Sequence, residues 1–348
     1  MSAVRPPGWT ASGTGVRIWR GSEIESHHRI HAALAGAGGA VQAAVGDPSR
    51  RAYLRSAAKP IQLLPLVEDG LVERFGFEPR ELAVMAASHD GEPFHLDAVR
   101  SILAKAGLEA GQLQCGPHYP AHRASAEALL TAGEKPSSLH NNCSGKHAGM
   151  LAVCRAHGWP LESYRDPAHP LQRRIVQRLA ELAGVGEEGI GVAVDGCGAP
   201  TFALPVSAMA AAFARLAEAD AARADDRQRA VGVVLDAMAA HPEYVGGTGQ
   251  LCSVLMAHAG ARAVVKRGTE GVFGAVLRGE GRGLALKVED GGSRAKGVAL
   301  LALLEPLGAL DAEAMRAMER FARPSLENRG GETVGKIDAD LAWTWAEA

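Results

Sequence analysis

The stretch Arg55-Ser56-Ala57-Ala58-Lys59-Pro60 lies where the sequence changes from short strand-like runs to a helical pattern. Ser56 and Lys59 are three residues apart, so at a helix start they share a face and the amine can reach the hydroxyl. Pro60 fits the first turn of a helix, which places Ser56 at the N-terminal edge. A serine becomes a nucleophile when a neighbouring base takes its proton, and a desolvated lysine can be that base. The stretch therefore predicts either a Ser–Lys catalytic pair or a plain serine cap followed by an exposed lysine.

Around this stretch the sequence predicts strands, then helices, then strands again. Upstream strands are predicted at Val16–Trp19, Arg29–Leu34 and Val41–Val45. Downstream helices are predicted at Arg80–Ala87, Pro93–Ala106, Ala124–Thr131, Lys146–His157, Pro170–Ala183, Ser207–Glu218, Asp225–Ala239 and Gln250–Ala259. Later strands are predicted at Arg262–Val265, Gly271–Val276 and Gly283–Val288, followed by a helix at Arg294–Leu304. This order is typical of an α+β fold in which N- and C-terminal strands share one sheet beneath a helical middle.

Two segments of this single predicted domain, residues 1–348, carry separate expectations. Val192–Val194 is a short apolar run before a Gly-rich turn, and we expect it to form a buried strand. The core is expected over about residues 15–310. Gly331–Ala348 is expected to be a loosely attached tail.

Composition excludes several classes of protein. The 348 residues include 37 Lys+Arg and 39 Asp+Glu, a net charge of −2, which gives no basic field for nucleic acid. No run approaches about 18 apolar residues, so no membrane partner is expected. Met1–Gly15 shows no secretory signal. An odd, thinly spread set of cysteines fits a cytoplasmic protein, and its members are Cys115, Cys143, Cys154, Cys197 and Cys252.

The Ser56–Lys59 pair is followed by two further elements in the order found in penicillin-binding and β-lactamase enzymes, which carry Ser-x-x-Lys, Ser-x-Asn and Lys-Thr-Gly. Ser88-His89-Asp90 has Asp in place of the Asn, and Lys266-Arg267-Gly268 has Arg in place of the Thr. A second Ser-x-x-Lys match, Ser293–Lys296, has no such companions and is interpreted as an ordinary helix start.

Two tight turns contain cysteine. Asn141-Asn142-Cys143-Ser144-Gly145-Lys146-His147 leads into an apolar helix, and Asp195-Gly196-Cys197-Gly198-Ala199-Pro200 follows a strand. The two thiols could join a nitrogen donor to bind Zn²⁺. They could equally be buried thiols in tight turns, because neither spacing is that of a zinc finger.

Together these blocks resemble the Rhizobium-etli-type L-asparaginases, the asparaginase II family. The resemblance covers about Gly15 to Leu310. It is carried, in the family's order, by Arg55–Pro60, Ser88–Glu92, Asn141–His147, His169–Gln172, Asp195–Gly198, His241-Pro242 and Lys266–Gly271.

The resemblance implies a fold like that of serine β-lactamases and glutaminases, a homodimer, and hydrolysis of L-asparagine to L-aspartate and ammonia. It also implies a zinc site. We expect one Zn²⁺ per chain that positions the substrate rather than hydrolysing it, because the Ser–Lys pair already supplies the nucleophile. Arg267 departs from the family's threonine. The implied catalytic residues are Ser56 as nucleophile, Lys59 as its base, and Ser88 with Lys266 as a second pair. The implied metal ligands are Cys143, Lys146 and Cys197, and the implied substrate-binding residues are Arg55, Asp195 and His147.

Two alternatives remain open from the sequence. One is another Ser–Lys amidohydrolase, either a glutaminase or a β-lactam-reactive acylase, because one methylene changes specificity by only about 1–3 kcal/mol. The other is a non-catalytic protein that binds zinc or an amino acid. An altered Ser56 or Lys59 would be the expected sign of that second alternative, and both residues are intact.

Overall fold

The computed structural model describes residues 15–218 and 225–346. The expectation that Met1–Gly15 has no secretory signal therefore falls, except for Gly15, on residues outside the described ranges. Every helix within these ranges is too short or too polar to cross a bilayer. The strands are β1 Gly15–Arg20, β2 Glu23–Ala35, β3 Val41–Val45, β4 Arg51–Tyr53, β5 Gly191–Val194, β6 Pro200–Pro205, β7 Ala263–Arg267, β8 Val272–Leu277, β9 Arg282–Val288, β10 Ser325–Glu327, β11 Thr333–Asp340 and β12 Thr344–Trp345. The helices are α1 Lys59–Glu68, α2 Leu71–Phe75, α3 Pro79–Met85, α4 Pro93–Lys105, α5 Arg123–Thr131, α6 Ser144–His157, α7 Pro170–Ala183, α8 Val206–Ala217, α9 Asp226–Ala240, α10 Pro242–Gly246, α11 Leu251–Ala259, α12 Ser293–Leu304, α13 Ala312–Ala317 and α14 Glu319–Ala322.

Strands from both ends of the chain form one antiparallel sheet. Within the described residues its order is β10-β11-β1-β2-β9-β8-β7, with β3 beside β2 and β12 beside β3. Helices α8 and α12 both pack on this sheet. The predicted α+β architecture with a mainly antiparallel sheet is confirmed, including the helical middle between the two sets of strands.

Helix α8 lies close to the sheet because small residues line the strands beneath it. Ala33 pairs with Ala285, and Ala35 pairs with Gly283, so these residues share a face. A Cβ placed on Gly283 would be 2.0 Å from the backbone nitrogen of Ala214 in α8. A larger residue at position 283 would therefore force α8 away from the sheet.

A second, three-stranded sheet brings two sequence blocks to the same edge. Its order is β4-β6-β5, and β6 is antiparallel to both neighbours. Strands β4 and β5 therefore end at the same side, where β6 begins. The chain leaves β4 into Arg55-Ser56 and leaves β5 into Asp195-Gly196-Cys197. This topology explains why residues 140 positions apart lie in one site.

Two expectations from the sequence are wrong. Strand β5 is an exposed edge rather than a buried strand, since Val192 is 44% and Val194 72% exposed. The tail is not loosely attached, because β11 pairs with all six residues of β1 and β12 pairs with β3. The Trp19 indole also donates a 2.9 Å hydrogen bond to the Asp338 carboxylate on β11.

Candidate active site

Ser88 lies between two buried lysines. Lys59 Nζ is 3.1 Å and Lys266 Nζ 2.9 Å from Ser88 Oγ. Each lysine is only 1% exposed, and Ser88 is 5% exposed. Lys59 also donates to the carbonyl oxygens of Ala87 and Asn142. The Ser88 hydroxyl, in the second element of the Ser–Lys pattern, therefore connects Lys59 of the first element with Lys266 of the third.

This arrangement favours a neutral amine in the site. The Ser88 hydroxyl has one proton, so it can accept a hydrogen bond from one lysine and donate to the lone pair of another only if that second amine is neutral. Burial lowers the pKa of Lys59. Burial and the nearby charge of Lys59 hold the pKa of Lys266 well below its ordinary value. A buried lysine of this kind can take a proton at neutral pH.

Ser56 occupies a more open position. It lies in the 3₁₀ turn Arg55–Ala58, which runs directly into α1, and Pro60 is the second residue of that helix as expected. Ser56 is partly exposed, whereas Ser88 is buried. Among the described residues, no hydrogen bond joins Ser56 Oγ to Lys59 Nζ; that amine contacts Ser88 instead. The structure thus brings Ser88 to both lysines and leaves the Ser56 hydroxyl accessible.

Arg55 and Asp195 form an ion pair next to Ser56. Nε and Nη2 of Arg55 lie 3.1 and 2.8 Å from Asp195 Oδ1. Burial opposes ionisation of Asp195, but the hydrogen bond from Arg55 and the charges of Lys146 and Arg55 together outweigh burial and lower the pKa of this carboxyl. Arg55 has φ +49°, a left-handed conformation that is unfavourable for a residue with a Cβ. This strained turn therefore places the Arg55 guanidinium against the Asp195 carboxylate, directly before Ser56.

The two cysteine turns converge at the start of α6. Cys143 immediately precedes this helix, and Lys146 lies in its first turn. Lys146 Nζ is 3.1 Å from Cys197 Sγ. A hydrogen bond from Cys197 is the main cause that holds the pKa of Cys143 well below its usual value, and the same contact raises the pKa of Cys197. Burial works against the charged form of Lys146, yet Cys143 and Cys197 raise its pKa overall.

His147 lies beside this cluster and has one unused nitrogen. The Tyr164 hydroxyl accepts a hydrogen bond from the Gln114 backbone N–H at 3.0 Å and lies 2.6 Å from His147 Nδ1, to which it can donate its own proton. In that arrangement the His147 proton lies on Nε2. This atom is buried and has no hydrogen-bond partner among the described residues. Burial holds the pKa of His147 well below its ordinary value, so the ring is neutral.

A model of the family described as L-asparaginase II matches residues 16–339 of this chain. The chain belongs to the L-asparaginase II family. The match begins in β1 and ends in β11, so it includes every site residue named above. Membership supports an amidohydrolase and confirms the family resemblance found in the sequence. A comparison with curated proteins finds no match.

Several solved structures are similar to the chain at low identity. Native Mglu in 4.3 M NaCl is 16% identical with a TM-score of 0.41, covering 84% of this chain and 60% of that one. Mglu in its glutamate form is 16% identical with a TM-score of 0.44, covering 81% and 61%. A protein from Bacteroides dorei DSM 17855, provisionally described as a beta-lactamase, is 12% identical with a TM-score of 0.40, covering 86% and 93%. The chain thus spans about 60% of the length of these Mglu chains.

The cysteine cluster has donors of the type that Zn²⁺ prefers. Among the described residues there is no group of three or more His, Cys, Asp or Glu that could hold a metal ion. Cys143, Cys197 and Lys146 nevertheless bring two sulfurs and one amine together, and Zn²⁺ binds thiolate and nitrogen ligands. The amine would have to lose its proton on binding, which the charge of the metal favours. The residues present therefore fit a zinc ion held by three protein ligands.

Sequence reasoning missed several groups that shape the site. The carbonyl oxygens of Ala87 and Asn142 hold the Lys59 amine, and a backbone carbonyl leaves no mark in a sequence. Tyr164 fixes the tautomer of His147 from outside every block that carries the resemblance. Arg267 was noticed only as a departure, although its guanidinium contacts both Ser88 and Asp90.

Proposed function

We propose that this protein hydrolyses the side-chain amide of L-asparagine to L-aspartate and ammonia. One observation carries the proposal: Ser88 is hydrogen-bonded to two buried lysines, one of which starts the helix that follows Ser56. Membership of the L-asparaginase II family supports the choice of substrate. The Arg55–Asp195 pair supplies one cation and one carboxylate for the carboxylate and ammonium of an amino acid.

Ser56 is the proposed nucleophile because its hydroxyl is accessible, while Ser88 is enclosed. Ser56 Oγ attacks the amide carbon and its proton passes to Lys59. The C–N bond then breaks, and the leaving nitrogen takes a proton from the Lys59–Ser88–Lys266 chain and departs as ammonia. Contacts among catalytic groups in a free enzyme often tighten only when substrate binds, so the present position of Lys59 against Ser88 is compatible with this step.

Water completes the reaction by attacking the acyl ester on Ser56. Lysine accepts a proton from that water, the ester C–O bond breaks, and Ser56 regains its proton as aspartate leaves. The backbone N–H groups of Arg55 and Ser56 are the proposed donors to the oxyanion, since the first amides of a helix lack intrahelical partners, whereas the Ala57 N–H already donates to the Leu54 carbonyl. The partly buried position of Ser56 limits water around this charge and strengthens such hydrogen bonds.

We also propose that Cys143, Lys146 and Cys197 bind one Zn²⁺ per chain. A zinc ion with three protein ligands keeps an open position that can accept a substrate carboxylate. The family resemblance further supports a homodimer. The five unpaired, buried cysteines are consistent with a reducing cytoplasm. Size-exclusion chromatography with light scattering tests the dimer, and a monomer at micromolar concentration contradicts it.

Ammonia release from L-asparagine, L-glutamine and a chromogenic β-lactam, measured side by side, tests the proposed activity. We expect kcat/KM for asparagine to exceed that for glutamine by about 10- to 100-fold, because the site must distinguish one methylene. Faster turnover of glutamine or of the β-lactam assigns the protein to the corresponding other amidohydrolase class. No turnover of any of the three contradicts an enzymatic function.

The pH dependence of the reaction should reflect the buried lysines. An amine is protonated below its pKa, so kcat/KM should rise as pH increases through the lowered pKa of Lys266 and Lys59. The rise should be complete well below about pH 10.4, the ordinary value for lysine. Measuring kcat/KM for asparagine from about pH 5 to about pH 10 tests this, and a profile without a rise contradicts lysine as the base.

A further inference from the structure

The two departures from the Ser–Lys enzyme pattern contact each other in the structure. Asp90 stands where the second element has Asn, and Arg267 stands where the third has Thr. Arg267 Nη2 lies 2.8 Å from Asp90 Oδ1. Asp90 is 4% exposed, so its carboxylate is almost completely enclosed. Residues 177 positions apart thus form one ion pair at the edge of the site, with Asp90 buried and the Arg267 side chain 25% exposed.

The Arg267 guanidinium forms hydrogen bonds with several neighbouring groups. Besides Asp90, Nη2 contacts the Ser88 carbonyl oxygen at 3.2 Å. Nη1 donates to Gln250 Oε1 at 2.8 Å, and the Gln250 amide donates to the other Asp90 oxygen. The Arg267 carbonyl accepts a hydrogen bond from Lys266 Nζ at 2.9 Å. A single residue therefore contacts the backbone of Ser88 and the amine of Lys266.

The charged form of the Asp90 carboxylate is stabilised by Arg267. Burial raises the pKa of Asp90, and the charge and hydrogen bond of Arg267 oppose that effect. Removing one member of a buried ion pair leaves the other charge uncompensated, whereas removing both together is often tolerated. Threonine could not span this contact, because it lacks the length and the forked donors of arginine.

We propose that the Asp90–Arg267 ion pair is a positioning unit that holds Ser88 between Lys59 and Lys266. This inference rests on the proposed function, since it assigns the pair to that Ser–Lys machinery. Neither Asp90 nor Arg267 is among the residues proposed to bind substrate. Their substitution should therefore change the rate of proton transfer more than the binding of asparagine.

A double-mutant cycle tests the proposal with Asp90→Asn, Arg267→Met and the double variant. We expect each single change to lower kcat by about 10- to 100-fold with KM within about threefold, because small misplacements of catalytic groups have effects of this size. The double variant should lose no more than about threefold beyond the worse single variant, since coupled residues are not additive. Arg267→Lys should recover part of the activity, because lysine keeps a positive charge beside Asp90. It cannot donate to Asp90 and Gln250 through two separate nitrogens, as the guanidinium does.

Arg262→Met is the matched control. Arg262 precedes the other end of β7 and makes an exposed ion pair with Asp311, so its loss should leave kcat unchanged. Multiplicative effects of Asp90→Asn and Arg267→Met overturn the proposal. So does a loss of thermal stability with unchanged kcat at a temperature where all variants are folded, which is the result of a purely structural pair.

Labelling of Ser56 by a fluorophosphonate probe, followed by peptide mass spectrometry, separates this proposal from the proposed function. If the wild-type protein does not turn over asparagine, the substrate assignment fails. The double-mutant cycle is then measured with the rate at which the probe labels Ser56 in each variant. Slower labelling in each single variant with little further loss in the double variant then supports the positioning unit. Equal labelling of wild type and Arg267→Met overturns it.

Discussion

Replacing Ser56 by alanine is expected to lower kcat for asparagine by about 10³- to 10⁶-fold, the range seen when a serine nucleophile is removed. The reason is chemical: without the hydroxyl no acyl ester forms, and the two lysines have no nucleophile to serve. The fold should be retained, because the side chain is partly exposed and caps no helix in the structure. A change of this kind costs within about 0.5 kcal/mol of stability. Steady-state ammonia release and the unfolding midpoint measure both effects.

Ser293→Ala is the matched control, since Ser293 begins α12 in the second Ser-x-x-Lys match and is exposed. It should behave like wild type. Lys59→Met keeps the buried volume but removes the proposed base, and kcat should fall by about 10²- to 10⁴-fold. Near wild-type turnover by folded Ser56→Ala contradicts Ser56 as the nucleophile. If Ser56→Ala keeps its turnover while Ser88→Ala abolishes it, Ser88 takes the role of nucleophile.

Most helices were predicted within about two residues because their ends carry local signals. Pro79, Pro93 and Pro170 each stand at a helix start, and Gly158 and Gly184 each follow a helix in the left-handed conformation. Such signals depend only on neighbouring residues, so a single sequence reveals them.

Features that depend on distant partners were less predictable. The residues of β11 have little apolar character, and Ile337 alone among them is buried. Its pairing with β1 joins segments about 320 residues apart, so only the folded chain shows it. A short apolar run such as Val192–Val194 can form a central or an edge strand, and local sequence does not distinguish them.

The site shows the same division. The sequence blocks identified the residues that converge, including both lysines and both cysteines. They did not reveal that Lys59 contacts Ser88 rather than Ser56, since this depends on how a flexible side chain packs against the Ala87 and Asn142 carbonyls. The sequence also did not predict that Asp90 pairs with Arg267, because each residue departs from the pattern in a different element and nothing in the sequence links the two.

Removal of metal is expected to weaken substrate binding before it stops catalysis. The Cys143–Lys146–Cys197 cluster lies beside the Arg55–Asp195 pair, and Lys146 contributes to the lowered pKa of Asp195. Loss of a positioning group should therefore raise KM for asparagine by about 10- to 100-fold and leave part of kcat. Elemental analysis should give one Zn²⁺ per chain before chelation and none afterwards, with recovery of KM when zinc is restored.

Cys197→Ser should reproduce the effect of chelation and bind zinc more weakly, because it exchanges a thiolate for a hydroxyl. Cys154→Ala is the matched control: Cys154 is buried, as Cys197 is, and it lies on α6 but belongs to neither cysteine turn. Its zinc content and KM should remain those of the wild type. Protein prepared with zinc and without chelators that contains no metal refutes the site. A complete and zinc-reversible loss of kcat with unchanged KM would instead show that the metal takes part in the chemical step, since only a group needed in the transition state lowers kcat in this way.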